Sequence, residues 1–376
     1  MITIKEITSK KKMKAFVKFP FELYKNNPYW VPPLINDEME SFDKTQNPVF
    51  EHAIAHFLLA YKDDKIVGRV AAMINWTEVN DQQIKKMRFG WFDFVDDIEI
   101  SKALLDKVAE IGKIHNLEFV EGPVGFSNLD KVGVLTEGFD QISTAITWYN
   151  HAYYKEHLEQ LGFVKAKEWL ESYFSMNDVH PENYQRMATL LKDRYQLHIL
   201  SFKSIKELMP YVDKMFELFN TSYSKLSSFV PISDIQIAYF KKKYIGLIDP
   251  EYIKYVADKD GNLLAFAITM PNYAEALQKA NGKLFPFGFY HLFKARKSSK
   301  DVVFYLIGIH PNWLNKGLVA IIFSEFFKVF QKRGITKFIR TPELEENNAV
   351  HLLWKNFNPI IHKRRRTYRK DILYKT

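Results

Sequence analysis

Apolar runs and helical periods follow one another in a regular order near the end of the chain. Residues 302–309 form an unbroken apolar run, which predicts a central strand that is covered on both faces of its sheet. The loop 310–317 follows, and residues 318–331 have the period of a helix. A polar start at 344–348 then leads into an amphipathic helix that ends near Trp354. The order predicted for this stretch is strand, loop and helix, followed by a second helix with a polar start.

Two patterns occur once in each half of the chain. A hairpin with a polar turn is predicted at 61–74 and again at 256–270. Later in each half a helix leads into a strand, at 153–163 followed by 164–176 and at 349–357 followed by 360–373. This repetition predicts two similar α/β units in tandem, each with a mixed central sheet flanked by helices.

The boundary between the two units is predicted near residues 177–200. Residues 177–181 interrupt a strand, and residues 197–202 restart the pattern as a first strand. We therefore expect an N-terminal domain at 1–178 and a C-terminal domain at 195–376. No linker rich in Gly, Ser or Pro separates them, so we expect the two domains to pack together.

The loop 310–317 has the properties of an anion-binding turn. A loop that opens onto a helix N-terminus presents unpaired N–H groups and the positive end of the helix dipole, and both favour a pyrophosphate. Lys316 adds a positive charge, and Gly317 lets the backbone approach a ligand without a Cβ in the way. From the loop alone, an ordinary βα turn of an α/β protein explains the pattern equally well.

The stretch 302–331 resembles strand 4, the pyrophosphate loop and helix 3 of the GCN5-related N-acetyltransferase superfamily. The resemblance implies acyl-CoA or acetyl-CoA as the donor substrate, with no metal. The superfamily favours Arg or Gln where Leu314 stands, and a second small residue where Val319 stands. The residues implied in donor binding are Ile307, Ile309, Leu314, Asn315, Lys316, Gly317, Leu318, Val319 and Asn347.

Longer motifs resemble a group of bacterial tandem acetyltransferase-fold proteins that is similar to the bacterial ceramide synthases. These motifs lie at 21–34, 122–124 with 137–140, 149–150 with 153–154, and 367–369. The resemblance implies an N-acyltransferase that moves an acyl group from a thioester to an amine, with a long-chain sphingoid base as one candidate acceptor. An acyl carrier protein is an alternative donor, because such carriers are acidic and a basic groove near Lys316 suits both.

The first half departs from the donor-binding pattern. Its strand at 89–94 runs into Val95-Asp96-Asp97-Ile98-Glu99 before a helix predicted at 101–114. Three carboxylates at this turn would repel a phosphate, although Asp96 is also a candidate helix cap. We therefore expect the thioester in the second domain and part of the acceptor pocket in the first.

Candidate acid–base residues are Glu137, Asp130, Tyr149 and His310, with Tyr305 as a further phenol. Glu137 lies between an apolar run and a Gly-Phe turn, which predicts partial burial and a raised pKa. A turn residue that bonds backbone amides is the alternative for Glu137. His310 also fits a loop residue, and the tyrosines also fit packing.

Trp354 stands where the superfamily often places a tyrosine that protonates the departing thiolate. An indole N–H is not an acid, so either another group protonates the thiolate or the thiolate leaves unassisted. The departures at Leu314, Val319 and Trp354 keep a second interpretation open. In that interpretation the fold has lost catalysis and serves as a lipid-binding or partner-binding module.

Composition narrows the remaining classes of function. The absence of cysteine excludes a thiol nucleophile, a disulfide framework and a Cys-ligated metal, and the scattered histidines predict no metal site. The formal net charge of +9 fits nucleic-acid binding, but the chain lacks a helix-turn-helix, zinc-finger or RNP signature. We therefore expect no nucleic-acid partner.

An aromatic segment at 285–293 precedes a basic cluster at 294–297, and a second basic cluster lies at 363–366. Aromatic residues followed by cations predict peripheral contact with an anionic membrane. The alternatives are aromatics that line an internal acyl pocket and a basic face that is merely solvated. Because no signal peptide and no apolar stretch of ~20 residues is visible, we expect a cytoplasmic protein with peripheral contact to the inner membrane face.

Overall fold

The computed structural model describes residues 1–127, 129–226, 229–245 and 248–373. Its strands are β1 (Ile2–Glu6), β2 (Ala53–Lys62), β3 (Lys65–Asn75), β4 (Lys86–Phe94), β5 (Phe119–Gly122), β6 (Val134–Glu137), β7 (Val164–Ser175), β8 (His198–Ser201), β9 (Ile253–Ala257), β10 (Leu263–Pro271), β11 (Asp301–Ile309), β12 (Lys337–Leu344) and β13 (Ile360–Asp371). Its helices are α1 (Lys10–Leu23), α2 (Ile35–Ser41), α3 (Ile98–Ile114), α4 (Tyr153–Gln160), α5 (Pro181–Tyr195), α6 (Ile205–Leu208), α7 (Val212–Tyr223), α8 (Asp234–Tyr244), α9 (Ala274–Ala280), α10 (Gly288–Ser298), α11 (Leu318–Arg333) and α12 (Asn348–Trp354).

Within the described residues, the strands form one sheet with helices on its faces. The strand order is β1-β2-β3-β4-β5-β13-β7-β12-β11-β10-β9-β8, and β6 pairs with β13 beside this path. Two neighbouring pairs, β4 with β5 and β11 with β12, are parallel, and the other pairs described here are antiparallel. The mixed α/β architecture predicted from the sequence is confirmed.

The two halves of the chain exchange a strand at the centre of the sheet. β7 belongs to the first half in sequence, but it pairs with β12 of the second half. β13 belongs to the second half, but it pairs with β5 and β6 of the first half. β7 and β13 also pair with each other, so the halves are joined along a continuous ladder of backbone hydrogen bonds. The domain boundary between residues 178 and 195 stays a prediction.

Each half of the sheet has its own apolar core. In the first half, α3 packs Leu104 and Val108 against β3 and β4. In the second half, α11 packs its phenylalanines against the sheet, and the rings of Phe304 and Phe323 contact Trp354. α5, which connects the halves, packs on α11 and covers this second core.

The elements predicted around the glycine loop are confirmed. β11 lies between β10 and β12, as expected for a strand that is apolar on both faces. Asn347 accepts the backbone N–H of Val350 at 3.3 Å and caps α12. One detail was wrong: α3 begins at Ile98, and its cap is Asp97 rather than Asp96.

Both parallel pairs of strands are short, and the candidate functional site lies where their pairing ends. β4 and β5 stay paired as far as Arg88 and Glu121. β11 and β12 stay paired as far as Phe304 and Arg340. Beyond these residues the neighbouring strands separate, and the side chains that follow face a space between the two halves.

Candidate functional site

A cavity of about 220 Å³ lies where the two halves meet. The polar side chains of the first half that line it include Arg88, Glu121 and Asp130. Those of the second half include Tyr305, Glu343 and Asn347, together with the apolar side chain of Ile307. The cavity therefore brings together five residues that the sequence singled out separately, Asp130, Tyr305, Ile307, Asn347 and Trp354.

Asp130 is one of two carboxyl groups that the first half contributes to the cavity, and Glu121 is the other. The Oδ2 atom of Asp130 accepts the backbone N–H of Ser127 at 2.8 Å and the hydroxyl of Ser127 at 3.2 Å. The side chain is open to the solvent of the cavity, but protein surrounds the cavity. Desolvation by this protein raises the pKa of Asp130, and the bonds from Ser127 only partly oppose the rise.

Tyr305 lines the cavity from β11 in the second half. Burial, and then the nearby charge of Asp130, raise the pKa of its phenol, so Tyr305 stays protonated near neutral pH. Next to it, the hydroxyl of Tyr223 donates to the backbone carbonyl of Ile307 at 3.0 Å. The cavity thus contains a phenol that can donate a proton and a carboxyl group that can accept one.

Glu343 is a third carboxyl group in the cavity, and it was not among the residues predicted from the sequence. It lies on β12 and pairs with Arg340, and its Oε1 accepts the indole N–H of Trp354 at 2.9 Å. Burial raises the pKa of Glu343, and the charge of Arg340 opposes the rise. Trp354 is buried among the rings of the second core, so it packs and orients Glu343. A carboxylate between Pro342 and Leu344, near the end of β12, was the signal that could have identified Glu343.

The wall contributed by β4 is basic. Lys86 and Arg88 both bond the fully buried Glu78, at 2.7 Å and 2.6 Å. The guanidinium of Arg88 also donates to the carbonyl of Gly125 at 2.9 Å, which fixes the backbone just before Asp130. Burial lowers the pKa of Lys86. We assign this network to holding the Asp130 loop in place, because its members bond each other and the backbone.

The glycine loop lies directly beyond the cavity end of β11. Gly317 has φ +77°, a left-handed conformation that favours glycine, and it immediately precedes α11. An added Cβ would lie 3.1 Å from Leu191. Because no side chain caps α11, its first N–H groups remain open to a ligand. Lys316 is exposed beside them, with its ammonium over the ring of Trp313 at 4.4 Å.

The other residues predicted to bind the donor lie around this loop. Leu314 and Asn315 are exposed, and Asn315 is left-handed at φ +63°. The side chains of Leu318 and Val319 are buried in the second core, so only their backbone N–H groups are available to a donor. The carbonyl of Ile309 accepts the hydroxyl of Ser222 at 3.0 Å.

Three predicted catalytic residues lie outside the cavity. The partial burial expected of Glu137 is wrong: its side chain is 67% exposed, and it pairs with Arg364 at 3.3 Å, because it ends the edge strand β6. Tyr149 is buried and donates to the carbonyl of Phe139 at 3.1 Å. His310 accepts the backbone N–H of Asn312 at 3.3 Å and caps a short turn. Their catalytic roles stay predictions.

The corresponding turn of the first half is occupied by ion pairs. Asp97 caps α3 and accepts the ammonium of Lys62 at 2.9 Å. Asp96 lies 3.1 Å from His157. Two of the three carboxylates that the sequence placed here are therefore engaged by other side chains, Asp97 by Lys62 and Asp96 by His157, and the turn has the opposite charge to the loop at Lys316.

Among the described residues, no three or more His, Asp or Glu side chains are grouped so that they could hold a metal ion. In the same part of the chain, no helix combines the length and the apolar character that crossing a membrane requires.

The aromatic segment 285–293 does not line the cavity, and its phenylalanines are exposed. The alternative that these aromatics line an internal acyl pocket is therefore wrong for this cavity.

No protein-family model matches the chain. Protein YghO of Escherichia coli strain K12 is 26% identical over 376 residues, which cover 98% of this chain and 95% of that protein. The bacterial ceramide synthase of Caulobacter vibrioides is 23% identical over 378 residues, which cover 96% of this chain and 95% of that protein.

Several solved structures resemble the whole chain, and two of them are described here. A tandem GNAT protein from the clavulanic acid biosynthesis pathway matches with a TM-score of 0.59 and 8% identity, covering 100% of both chains. A GCN5-related N-acetyltransferase from Sphaerobacter thermophilus matches with a TM-score of 0.54 and 10% identity, covering 99% of this chain and 96% of the other.

Proposed function

We propose that this chain, which has the tandem fold of the GCN5-related N-acetyltransferases, transfers an acyl group from a thioester to an amine in the cavity between its halves. The structural neighbours confirm the fold class that the sequence predicted. One observation carries the proposal: Asp130 of the first half and Tyr305 of the second line the same cavity where β11 and β12 separate.

The donor is proposed to bind on the second half. Its pyrophosphate would lie at the start of α11, against the open N–H groups and Lys316. Past Phe304, β11 no longer pairs with β12, which leaves space beside the strand for the amide-containing arm of coenzyme A. The carbonyls of Ile307 and Ile309 accept side-chain hydroxyls there, and the arm would replace these bonds. The thioester would then enter the cavity beside Ile307. Acyl-CoA and acetyl-CoA both fit this arrangement, and an acyl carrier protein presents the same arm.

The proposed chemistry uses one base and one acid. An amine acceptor is protonated in water and must lose a proton before its nitrogen can attack the thioester carbonyl. Asp130 takes this proton, directly or through water, and its raised pKa makes it a stronger base than an ordinary carboxylate. The C–N bond forms as the C–S bond breaks, and the departing thiolate receives a proton from Tyr305. The second proton that the nitrogen must lose returns to Tyr305 through water, so Tyr305 ends as the phenol that burial favours. Tyr305 thus fills the role that Trp354 cannot.

A long-chain amine, such as a sphingoid base, is the acceptor that we propose. The similarity to the Caulobacter ceramide synthase supports it, and so do the apolar cavity residues Leu129, Ile146 and Leu306. Each CH₂ group removed from water contributes about 0.8 kcal/mol, so an apolar chain of ordinary lipid length gives a strong preference over a short amine.

The test is acyl transfer to sphinganine and to a short water-soluble amine, by the wild type and two matched variants. Asp130→Asn is expected to lower kcat by about 100-fold or more, because the base is lost. Glu137→Gln, an exposed carboxylate outside the cavity, is expected to keep wild-type activity.

Full activity of Asp130→Asn together with loss of activity in Glu137→Gln would reject Asp130 as the base and assign that role to Glu137. Equal use of the two amines would reject the lipid-like acceptor. Binding of acyl-CoA without transfer to any amine would favour the alternative function, a binding module that has lost catalysis.

A further inference from the structure

Aromatic side chains are concentrated on the surface of the protein between β10 and β11. These side chains belong to the aromatic segment, residues 285–293. It ends a loop after α9 and forms the first half of α10. Five of its rings are more than half exposed: Phe285 78%, Phe287 71%, Phe289 53%, Tyr290 54% and Phe293 54%. So large a group of adjacent exposed rings is unusual on a protein that does not bind at that surface.

The aromatic segment is held in place by contacts behind it. Leu292 packs inward on the small apolar cluster around Val31 and Leu277. The carbonyl of Gly282 accepts the backbone N–H of Ile35 at 2.9 Å. The side chain of Gln278 donates to the carbonyls of Pro28 and Trp30. The rings are thus presented outward by a structure that is anchored on the first half of the chain.

The stretch of sequence that contains the aromatic segment is basic. Between residues 276 and 300 it has five lysines and one arginine, and neither aspartate nor glutamate. Lys283 precedes the exposed rings, and Lys294 and Lys297 follow them on α10, all three exposed. The ammonium of Lys297 lies 4.5 Å from the ring of Phe293. Arg296 lies 3.7 Å from Asp249, so its charge is partly compensated.

We infer that the aromatic segment docks on an anionic membrane, with its rings among the headgroups and its lysines against lipid phosphates. Aromatic side chains partition into the interfacial layer of a bilayer, and exposed lysines add attraction to anionic lipids. The rings project from a loop and one face of a short helix, with cations at both ends, which suits a flat anionic surface. This inference goes beyond the proposed function, because it holds whatever reaction the cavity performs.

Vesicle sedimentation of the full chain tests the inference. The wild type is expected to sediment with vesicles of phosphatidylcholine and phosphatidylglycerol, and less with phosphatidylcholine alone. The triple variant Phe285→Ser, Phe287→Ser and Phe289→Ser is expected to bind at least about 10-fold more weakly. The double variant Lys294→Gln and Lys297→Gln is expected to lose about fivefold per lysine on anionic vesicles.

The matched control changes exposed apolar residues elsewhere. Met187 and Leu190 are 48% and 60% exposed on α5, and the variant with serine at both is expected to bind like the wild type. A second readout uses Phe287→Trp, whose fluorescence is expected to shift to the blue on anionic vesicles. Circular dichroism of every variant checks that the fold is kept.

Three outcomes would overturn the inference. One is no binding of the wild type to anionic vesicles, and another is undiminished binding by the triple variant. The third is a wild-type dimer that the triple variant converts to a monomer without any vesicle binding, which would assign the surface to a second copy of the chain.

Discussion

The ionisation of Asp130 links the activity of the site to its stability. Desolvation by the surrounding protein disfavours the charged carboxylate, so the pKa of Asp130 is raised. The ionised form is therefore a stronger base than an ordinary carboxylate, and ionisation lowers the stability of the folded state. Active sites commonly combine these two properties, because the group that is needed for chemistry is in an environment that opposes its charge.

We predict opposite effects of Asp130→Asn on turnover and stability. In the wild type, kcat/KM is expected to rise with pH as Asp130 ionises at its raised pKa. The pH–rate profile of the variant is expected to lack this rising limb. A carboxyl with a raised pKa loses folding stability as pH rises from its unfolded pKa through its folded pKa. The variant cannot ionise, so its Tm at neutral pH is expected to equal or exceed that of the wild type.

The measurements are a pH–rate profile and thermal unfolding at several pH values. A variant that loses activity together with several degrees of Tm at neutral pH would show that Asp130 is structural. An unchanged limb in the pH profile would show that another group is the base, with Glu343 as the first residue to test.

The sequence could predict the residue types of this site but not which of them meet. Asp130 lies in a stretch without helical or strand periodicity, and the opposite wall of its cavity is formed by the second half of the chain, so its local sequence does not reveal its position. Glu137 has apolar neighbours in sequence, but it ends β6 at the edge of the sheet, where the side chain points to solvent. Local apolar context is therefore a weak guide to burial where a strand ends.

At the scale of elements, the sequence was most informative at β11, the glycine loop and α11. An apolar run, a positive φ that needs glycine and a helix period are all local properties, so they can be read without knowing the fold. The aromatic segment shows the limit of this approach. Aromatic residues fit a core, a channel or an interface equally well, and only the packing of Leu292 behind them shows which side faces out.

Lys316→Glu is predicted to weaken donor binding by about 10-fold or more, because it places a negative charge beside the pyrophosphate at the start of α11. The matched control is Lys328→Glu on the exposed face of the same helix, where the lysine pairs with Glu325 at 2.8 Å. Titration calorimetry with acetyl-CoA measures both. Equal affinities for wild type, variant and control would remove the loop from the proposed donor site.

At the scale of the whole molecule, a buried ion cluster joins the exchanged strands. Glu171 on β7 pairs with Arg365 and with Lys363, 3.1 Å away, on β13, and the three side chains are almost fully buried. Burial opposes the charge of Glu171, but the two cations outweigh it and lower its pKa to about 2. The cluster thus connects the two halves at the middle of the sheet.

Glu171→Gln is predicted to destabilise the fold by about 3–5 kcal/mol, because it leaves buried cations without their counter-charge. In the wild type, Glu171 contributes stability above its ordinary pKa of 4.5, and this contribution is lost as pH falls toward about 2. Denaturant unfolding at several pH values measures both effects. An exposed carboxylate variant, Glu137→Gln, is the control, and equal stability of the two variants would contradict the prediction.

The exchange of β7 and β13 has a consequence for synthesis on the ribosome. When the first half has emerged, β5 and β6 still lack the strand that pairs with both, because β13 is made after every other strand described here. The first half therefore has an unpaired sheet edge until the second half has been synthesised as far as β13, and such edges bind other chains. Loss of the codons for β13 would thus disrupt the half of the molecule that was synthesised first.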